Sequence, residues 1–185
     1  MKTTLTLAAA AACALQSLLF VPPANAQTEA ASSTATNSLP DADGKFVQAA
    51  SMAGSTEIDA AKLTMHQSDD KDVKSFARHM IMDHTKLALQ LKKAAPRSVT
   101  VSKDNPDTQL LDSLKPLKGT NFDAAYVQKV GVQGHKDAIA VFQDEIENGQ
   151  NANLKKMAQK ALPTIEQHYK MAQELAQKKH LAAAQ

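Results

Sequence analysis

Apolar side chains recur at alternating spacings of four and three along four separate stretches of the chain, the signature of helices with one buried stripe. The first runs from about Gly44 to Gln67, with Phe46, Ala50, Ala53, Glu57, Ala60 and Thr64 inward. Asp41 or Asp43 is placed to cap it. The second runs from about Asp70 to Ala95 with Val73, Ala77, Met80, His84, Leu87 and Leu91 inward and Phe76 alongside. Ser68-Asp69-Asp70 supplies its N-cap and Pro96 its stop.

Residues 96–119 break the pattern with Pro96, Pro106, Pro116 and Gly119, and only Thr108 to Leu114 reads as a short helical turn or two. About two dozen residues exceeds a tight turn and is long enough to travel the length of a bundle. Thr120-Asn121-Phe122-Asp123 resembles a capping box opening the third long helix, whose stripe is Gly131, His135, Ala138, Phe142 and Ile146. Asn148-Gly149 ends it. The fourth starts near Asn153, with Leu154, Ala158, Ala161, Ile165, His168, Ala172 and Leu175 inward. Pro163 removes the hydrogen bond to the Gln159 carbonyl and is expected to kink this helix along the curvature of the core.

No strand alternation is visible, so the predicted class is all-α, with a bundle over 41–180 and a frayed tail at 181–185. What precedes the bundle has a different character. Lys2, the mostly apolar run Leu5 to Val21, and Ala24-Asn25-Ala26 read as a secretory signal peptide over residues 1–26, with Gln27 as the mature N-terminus. Gln16 and Ser17 interrupt the apolar run, and Pro22-Pro23 ends it, so it does not read as a membrane span. The lone cysteine, Cys13, lies inside this leader; Ala10-Ala11-Ala12-Cys13 offers a rival reading as a lipidation site. Residues 27–40, rich in Ala, Ser and Thr, read as a disordered linker. These features place the protein in the periplasm or outside a cell with Gram-negative-type export.

Composition removes some functions. The formal charge is +2, falling to +1 without Lys2, and the charges of both signs are interspersed with few aromatics. Nucleic acid is therefore not an expected partner. An envelope protein is a candidate partner that nothing in the residues identifies.

The chemistry lies in the exceptions to the stripes. Glu57, His84, His135 and His168 are ionisable residues at inward positions of four different helices, and burying such a group without a partner costs a few kcal/mol. Depth is counted outward from each turn. Glu57 lies about 13 residues before a turn near 69–70 and His84 about 14 after it, a difference of a couple of ångströms at ~1.5 Å per residue. His135 lies about 14 before a turn near 149–150 and His168 about 18 after, a mismatch of roughly 6 Å. A common site for one divalent transition metal (zinc, iron, manganese or copper) follows, since imidazole and carboxylate suit these ions and thiolate is missing. Asp83, about 100° around the helix from His84, is a candidate acceptor behind an imidazole or an alternative ligand.

The competing reading is that each histidine is a packed core residue and the cluster is structural. Glu145 sits about three turns from His135, ~15 Å away, and so cannot join the same shell. Met80 is a marginal ligand candidate one turn from His84. His66 and His79 flank the first turn and read as solvated, and His180 belongs to a Lys-rich tail.

Several stretches resemble a bacterial exported family of uncharacterised proteins, often labelled predicted outer-membrane proteins, with a ferritin-like domain. They are Phe46-Val47-Gln48-Ala49-Ala50, Glu57-Ile58, Phe76-Ala77-Arg78-His79-Met80-Ile81-Met82-Asp83-His84-Thr85-Lys86, Phe122-Asp123-Ala124-Ala125-Tyr126-Val127, His135, and Ala161-Leu162-Pro163-Thr164-Ile165-Glu166-Gln167-His168, within about residues 44–175. The resemblance implies a ferritin-like four-helix bundle with a long crossover between helices 2 and 3. It brings no activity, and a spanning barrel is incompatible with a helical domain. Di-iron members of the wider group carry Glu-x-x-His on two helices. Ile81 and Ile165 stand where those carboxylates would be, which disfavours a dinuclear centre. The expectation is a mononuclear site in an exported bundle of unassigned activity. The alternatives are a metal-free envelope interaction or stress-response module and, third, a mononuclear metal oxidoreductase.

Overall fold

A computed structural model describes residues 39–102 and 104–181; the expected signal peptide with Cys13, most of the expected linker and most of the expected tail fall outside the described residues. All regular structure among the described residues is helical: α1 (Asp41–Gln67), α2 (Lys71–Ala94), α3 (Thr108–Leu114), α4 (Gly119–Ala125), a π-helical segment (Tyr126–Gly134), α5 (His135–Asn148) and α6 (Ala152–Lys178). α4, the π segment and α5 run on without a break, so four long rods form the body. α1 packs on α2 and α5, and α6 packs on α5 and α2, closing the rods into a ring.

The helix signals are partly those the sequence predicts. Asp70 caps α2 by accepting the Asp72 and Val73 N–H groups, and Ala95, extended ahead of Pro96, ends it. Asn151 caps α6 through the Asn153 and Leu154 N–H groups. Two expected caps are absent. Pro40 precedes α1 with no side-chain cap, and Asp43 instead accepts the Gln150 and Asn151 N–H groups across the bundle at 3.0 Å each. α4 opens at Gly119 after Lys118 without a side-chain cap bond, so Thr120 to Asp123 form no capping box. Pro163 lies inside an uninterrupted α6, on its exposed side.

The crossover can be followed by its hydrogen bonds along α1. Ser51 donates to the Ser102 carbonyl, Thr56 accepts from the Asp107 N–H at 2.8 Å, and Gln67 donates to the Lys115 carbonyl at 2.9 Å. The chain therefore climbs from near the start of α1 to its end, and the third rod starts beside the start of α2 and runs parallel to it. α3 lies on this path.

The core is two hydrophobic clusters. One contains Val73, Phe76, Met80, Leu114, Phe122, Tyr126 and Val130. The other contains Phe46, Leu87, Leu91, Phe142, Leu154 and Ile165. On each rod the polar exception separates them. His84 lies between Met80 and Leu87, His135 between Val130 and Ala138, His168 between Ile165 and Ala172, and Glu57 between Val47 and Ala60. A buried polar layer thus divides one apolar core from the other.

The π segment is the main departure from the expected third helix. Its buried positions are the adjacent pairs Tyr126–Val127 and Val130–Gly131, and His135, Ala138 and Phe142 follow. The wider turn re-phases the rod so that both halves face inward. Beyond it Glu145 takes the buried position expected for Ile146, which is only partly covered. Gly131 sits where the rod presses on α6: a Cβ there would lie 2.9 Å from that of Ala172.

Candidate metal centre

The local geometry shows why the four residues reach one layer. In each hairpin the residue before the turn is three positions nearer to it than the one after: Glu57 and His84 about the α1–α2 turn, His135 and His168 about the α5–α6 turn. Helical side chains lean toward the N-terminus of their helix, so the earlier residue reaches away from the turn and the later one back toward it. The same lean closes the same offset in both pairs. The unequal mismatches expected for the two pairs came from placing the first turn about a residue too late and the second about half a residue too early.

The three imidazoles form a nearly regular triangle, with ring centroids 5.5 Å apart for His84–His135, 5.2 Å for His84–His168 and 5.5 Å for His135–His168. All three are buried, and one nitrogen from each lies within 4.8 Å of the others, so the three can hold a metal ion. His84 Nε2 faces His168 Nδ1 at 3.2 Å.

Each ring is gripped on its other nitrogen. Glu57 Oε2 lies 2.8 Å from His84 Nδ1. Asp83 Oδ2 lies 3.0 Å from His168 Nε2. The Val130 carbonyl lies 3.1 Å from His135 Nδ1, a contact made possible by the five-residue step of the π segment. His135 Nε2 is buried and has no hydrogen-bond partner. Glu57 is thus in the layer, but its oxygens face Nδ1 atoms: Oε1 is 3.6 Å from His135 Nδ1. Asp83, with its side chain about a third exposed, holds His168 from the rim.

The electrostatics follow. Burial alone would raise the Glu57 carboxyl, but attraction to His84 and His135, the hydrogen bond from His84, and attraction to His168 outweigh it and hold the group below the usual range. Burial pushes His168 down to about 4, against the pull of Asp83. Burial likewise lowers His135, opposed by Glu57. Neutral imidazole is the ligating form.

A neutral imidazole has one N–H. When His84 gives its own to Glu57 and His168 gives its own to Asp83, the two nitrogens facing each other at 3.2 Å are both bare. Two lone pairs at that distance repel unless a cation lies between them. An ion bound tetrahedrally at ~2.0–2.1 Å separates its ligand nitrogens by roughly 3.3 Å. The pair therefore already stands at coordination spacing.

The other sequence-singled residues stay outside. His66, His79 and His180 are exposed. Met80 is buried within the adjoining apolar cluster. Glu145 is buried near Asp43 by the α5–α6 turn, in the second apolar half. Tyr126 is fully buried, with its hydroxyl pushed up by burial and otherwise affected by Thr64 and Glu57. The Val130 carbonyl was invisible to side-chain patterning, since the predicted stripe ran from Gly131 to His135 at the ordinary spacing of four.

A family profile described as "Domain of unknown function (DUF4142)" matches residues 27–175. Among solved structures, the fold is similar to a chain described as a secreted DUF305 protein from Streptomyces coelicolor, at 14% identity and a TM-score of 0.66, covering 78% of this chain and 96% of that one. It is also similar to a DUF305 fragment from Deinococcus radiodurans, at 12% identity and a TM-score of 0.61, covering 76% and 98%. At these identities the likeness concerns the fold. No curated protein gives a match. No helix among the described residues is long and apolar enough to cross a membrane.

Proposed function

The chain belongs to the DUF4142 family, and we propose that it is an exported, ferritin-like bundle that holds one divalent transition-metal ion in its core, in the periplasm of a Gram-negative-type cell. The ligands are His84 Nε2, His168 Nδ1 and His135 Nε2. Glu57, expected as a fourth ligand, takes the position behind His84 instead. Glu57, Asp83 and the Val130 carbonyl fix the tautomer and tilt of the three rings, as outer acceptors do around metal-ligating histidines. The two ionised carboxylates offset the charge of a dication.

The observation that carries this reading is the sorting of ring nitrogens. Three have acceptors behind them; of the opposite three, His84 Nε2 and His168 Nδ1 face each other at 3.2 Å and His135 Nε2 is buried without a partner, while one nitrogen of each ring lies within 4.8 Å of the others. Imidazole-only ligation suits zinc, copper, iron or manganese. Three protein ligands leave a fourth position for water or another donor, the form taken by catalytic centres, which keeps the mononuclear oxidoreductase reading in view. The ferritin-like assignment is supported by the crossover along α1, which makes the second and third rods parallel.

One observation favours a second reading. A separation of 3.2 Å is also hydrogen-bond length, so a proton shared by His84 and His168 would serve a metal-free layer in an interaction or stress-response module. Calorimetric titration of chelator-stripped mature protein with zinc, copper, manganese and ferrous ions separates the two. The metal reading expects saturation at one ion per chain, lost in His135→Ala. No heat of binding with any of the four ions rejects it.

A further inference from the structure

A cavity of about 260 Å³ lies between α1, the start of α3 and the third rod, and Glu57 is among the residues that line it. Its walls are apolar, formed by Ala53, Val130, Val141 and Phe142, while Thr56, Lys129 and Asp137 are among its few polar side chains. The space exists because α1 presents Ala49, Ala50 and Ala53 where a packed bundle would place larger side chains. At Gly134, another part of the wall, a Cβ would sit 3.8 Å from Glu57 Oε1.

That oxygen is the second observation. Glu57 is only 4% exposed, and Oε1 has no hydrogen-bond partner. His135 Nδ1, its nearest polar neighbour, gives its N–H to the Val130 carbonyl. A buried carboxylate oxygen left without a donor has lost its hydration uncompensated, so a donor arriving from the cavity side forms a hydrogen bond that nothing in the chain supplies.

We propose that this cavity binds a small uncharged molecule with an apolar, ring-sized body and a single hydrogen-bond-donor head of the phenol, alcohol or indole N–H kind, the head directed at Glu57 Oε1. A carboxylate or phosphate head would be repelled by the Glu57 charge. A hydrocarbon without a donor would fill the walls and leave the oxygen unpaired. The volume falls just below the usual range for small-molecule sites, which suits a body of about ten heavy atoms rather than a long chain. The inference goes beyond the metal reading, since it rests on the cavity and Glu57 Oε1 whatever the three imidazoles hold.

Fluorine NMR with 4-fluorophenol and fluorobenzene tests it, on chelator-stripped and on metal-loaded protein. The two probes differ by one hydroxyl. The phenol is expected to bind one per chain and at least tenfold more tightly than fluorobenzene in both preparations. Ala53→Phe and, independently, Ala49→Phe fill the space from α1 and are expected to abolish binding of both probes while metal stoichiometry is unchanged. Equal affinity for the two probes, phenol binding unaffected by both filled variants, or no binding of either probe overturns the proposal. Metal content is read separately, so failure of the metal reading leaves this result interpretable.

Discussion

His84 Nε2 and His168 Nδ1 face each other across 3.2 Å from helices α2 and α6, each with the far side of its ring held by a carboxylate. The clusters on either side are mainly hydrocarbon. The polar layer is therefore the place where the fold departs from simple core packing, and where removing or adding one ion has the largest consequence.

Loading the site is expected to stabilise the protein by mass action. An ion at a thousand times its Kd contributes about 4 kcal/mol, which raises Tm by roughly 10 °C or more in a domain of this size. Thermal melts with and without excess chelator measure it. An identical Tm under both conditions would count against a bound ion.

The carboxylates behind the rings are expected to matter without being ligands. Asp83→Asn and Glu57→Gln should each weaken metal binding roughly 10–100-fold while stoichiometry stays at one. His84→Ala should remove binding altogether. Competition titration against a chromophoric chelator distinguishes a weakened site from an absent one, and unchanged affinity in both carboxylate variants contradicts the roles given to them.

Glu145 supplies a pH dependence far from the imidazoles. Its carboxyl is buried beside Asp43, and burial, then repulsion from Asp43 and a hydrogen bond with it, raise it from 4.5 to about 7. The folded state thus keeps a proton that the unfolded chain releases at lower pH. Its stabilising contribution is full below about 4.5 and is lost as pH rises through about 7. Glu145→Gln stays neutral throughout. It should be more stable than the natural protein at pH 8, by on the order of 1 kcal/mol, with the gap narrowing at pH 5. Chemical melts at the two pH values test it; a gap that widens on acidification would reverse the sign.

Gly131 is expected to be intolerant of any side chain. A Cβ would come within 2.9 Å of Ala172 Cβ, so the third rod or α6 must shift. Gly131→Ala should cost about 1–3 kcal/mol despite its better helix propensity. Ala172→Gly in the same chain should recover part of that loss. A double-mutant cycle showing no coupling would place the contact elsewhere.

The polar exceptions were readable in the sequence because a helical stripe tolerates few of them, and their meeting depth followed from counting along antiparallel rods. The long crossover was likewise legible in prolines and length. Two things were not. A π-helical stretch has no residue signature of its own, so the re-phasing that turns the Val130 carbonyl toward His135 and buries Glu145 rather than Ile146 left no mark on a stripe that runs from Gly131 to His135 at the ordinary spacing of four. Asp43 reads as a local cap, but its carboxylate serves the Gln150 and Asn151 amides, a tertiary choice that no local pattern encodes. The role of Glu57 turned on which ring nitrogen it faces, which requires coordinates.

The central claim is tested most directly by the metal content of the protein purified from its native cells without an affinity tag. About one transition-metal ion per chain is predicted for the natural sequence, and none for chains carrying His84→Ala, His135→Ala or His168→Ala. A metal-free natural protein that also takes up none on reconstitution would contradict it.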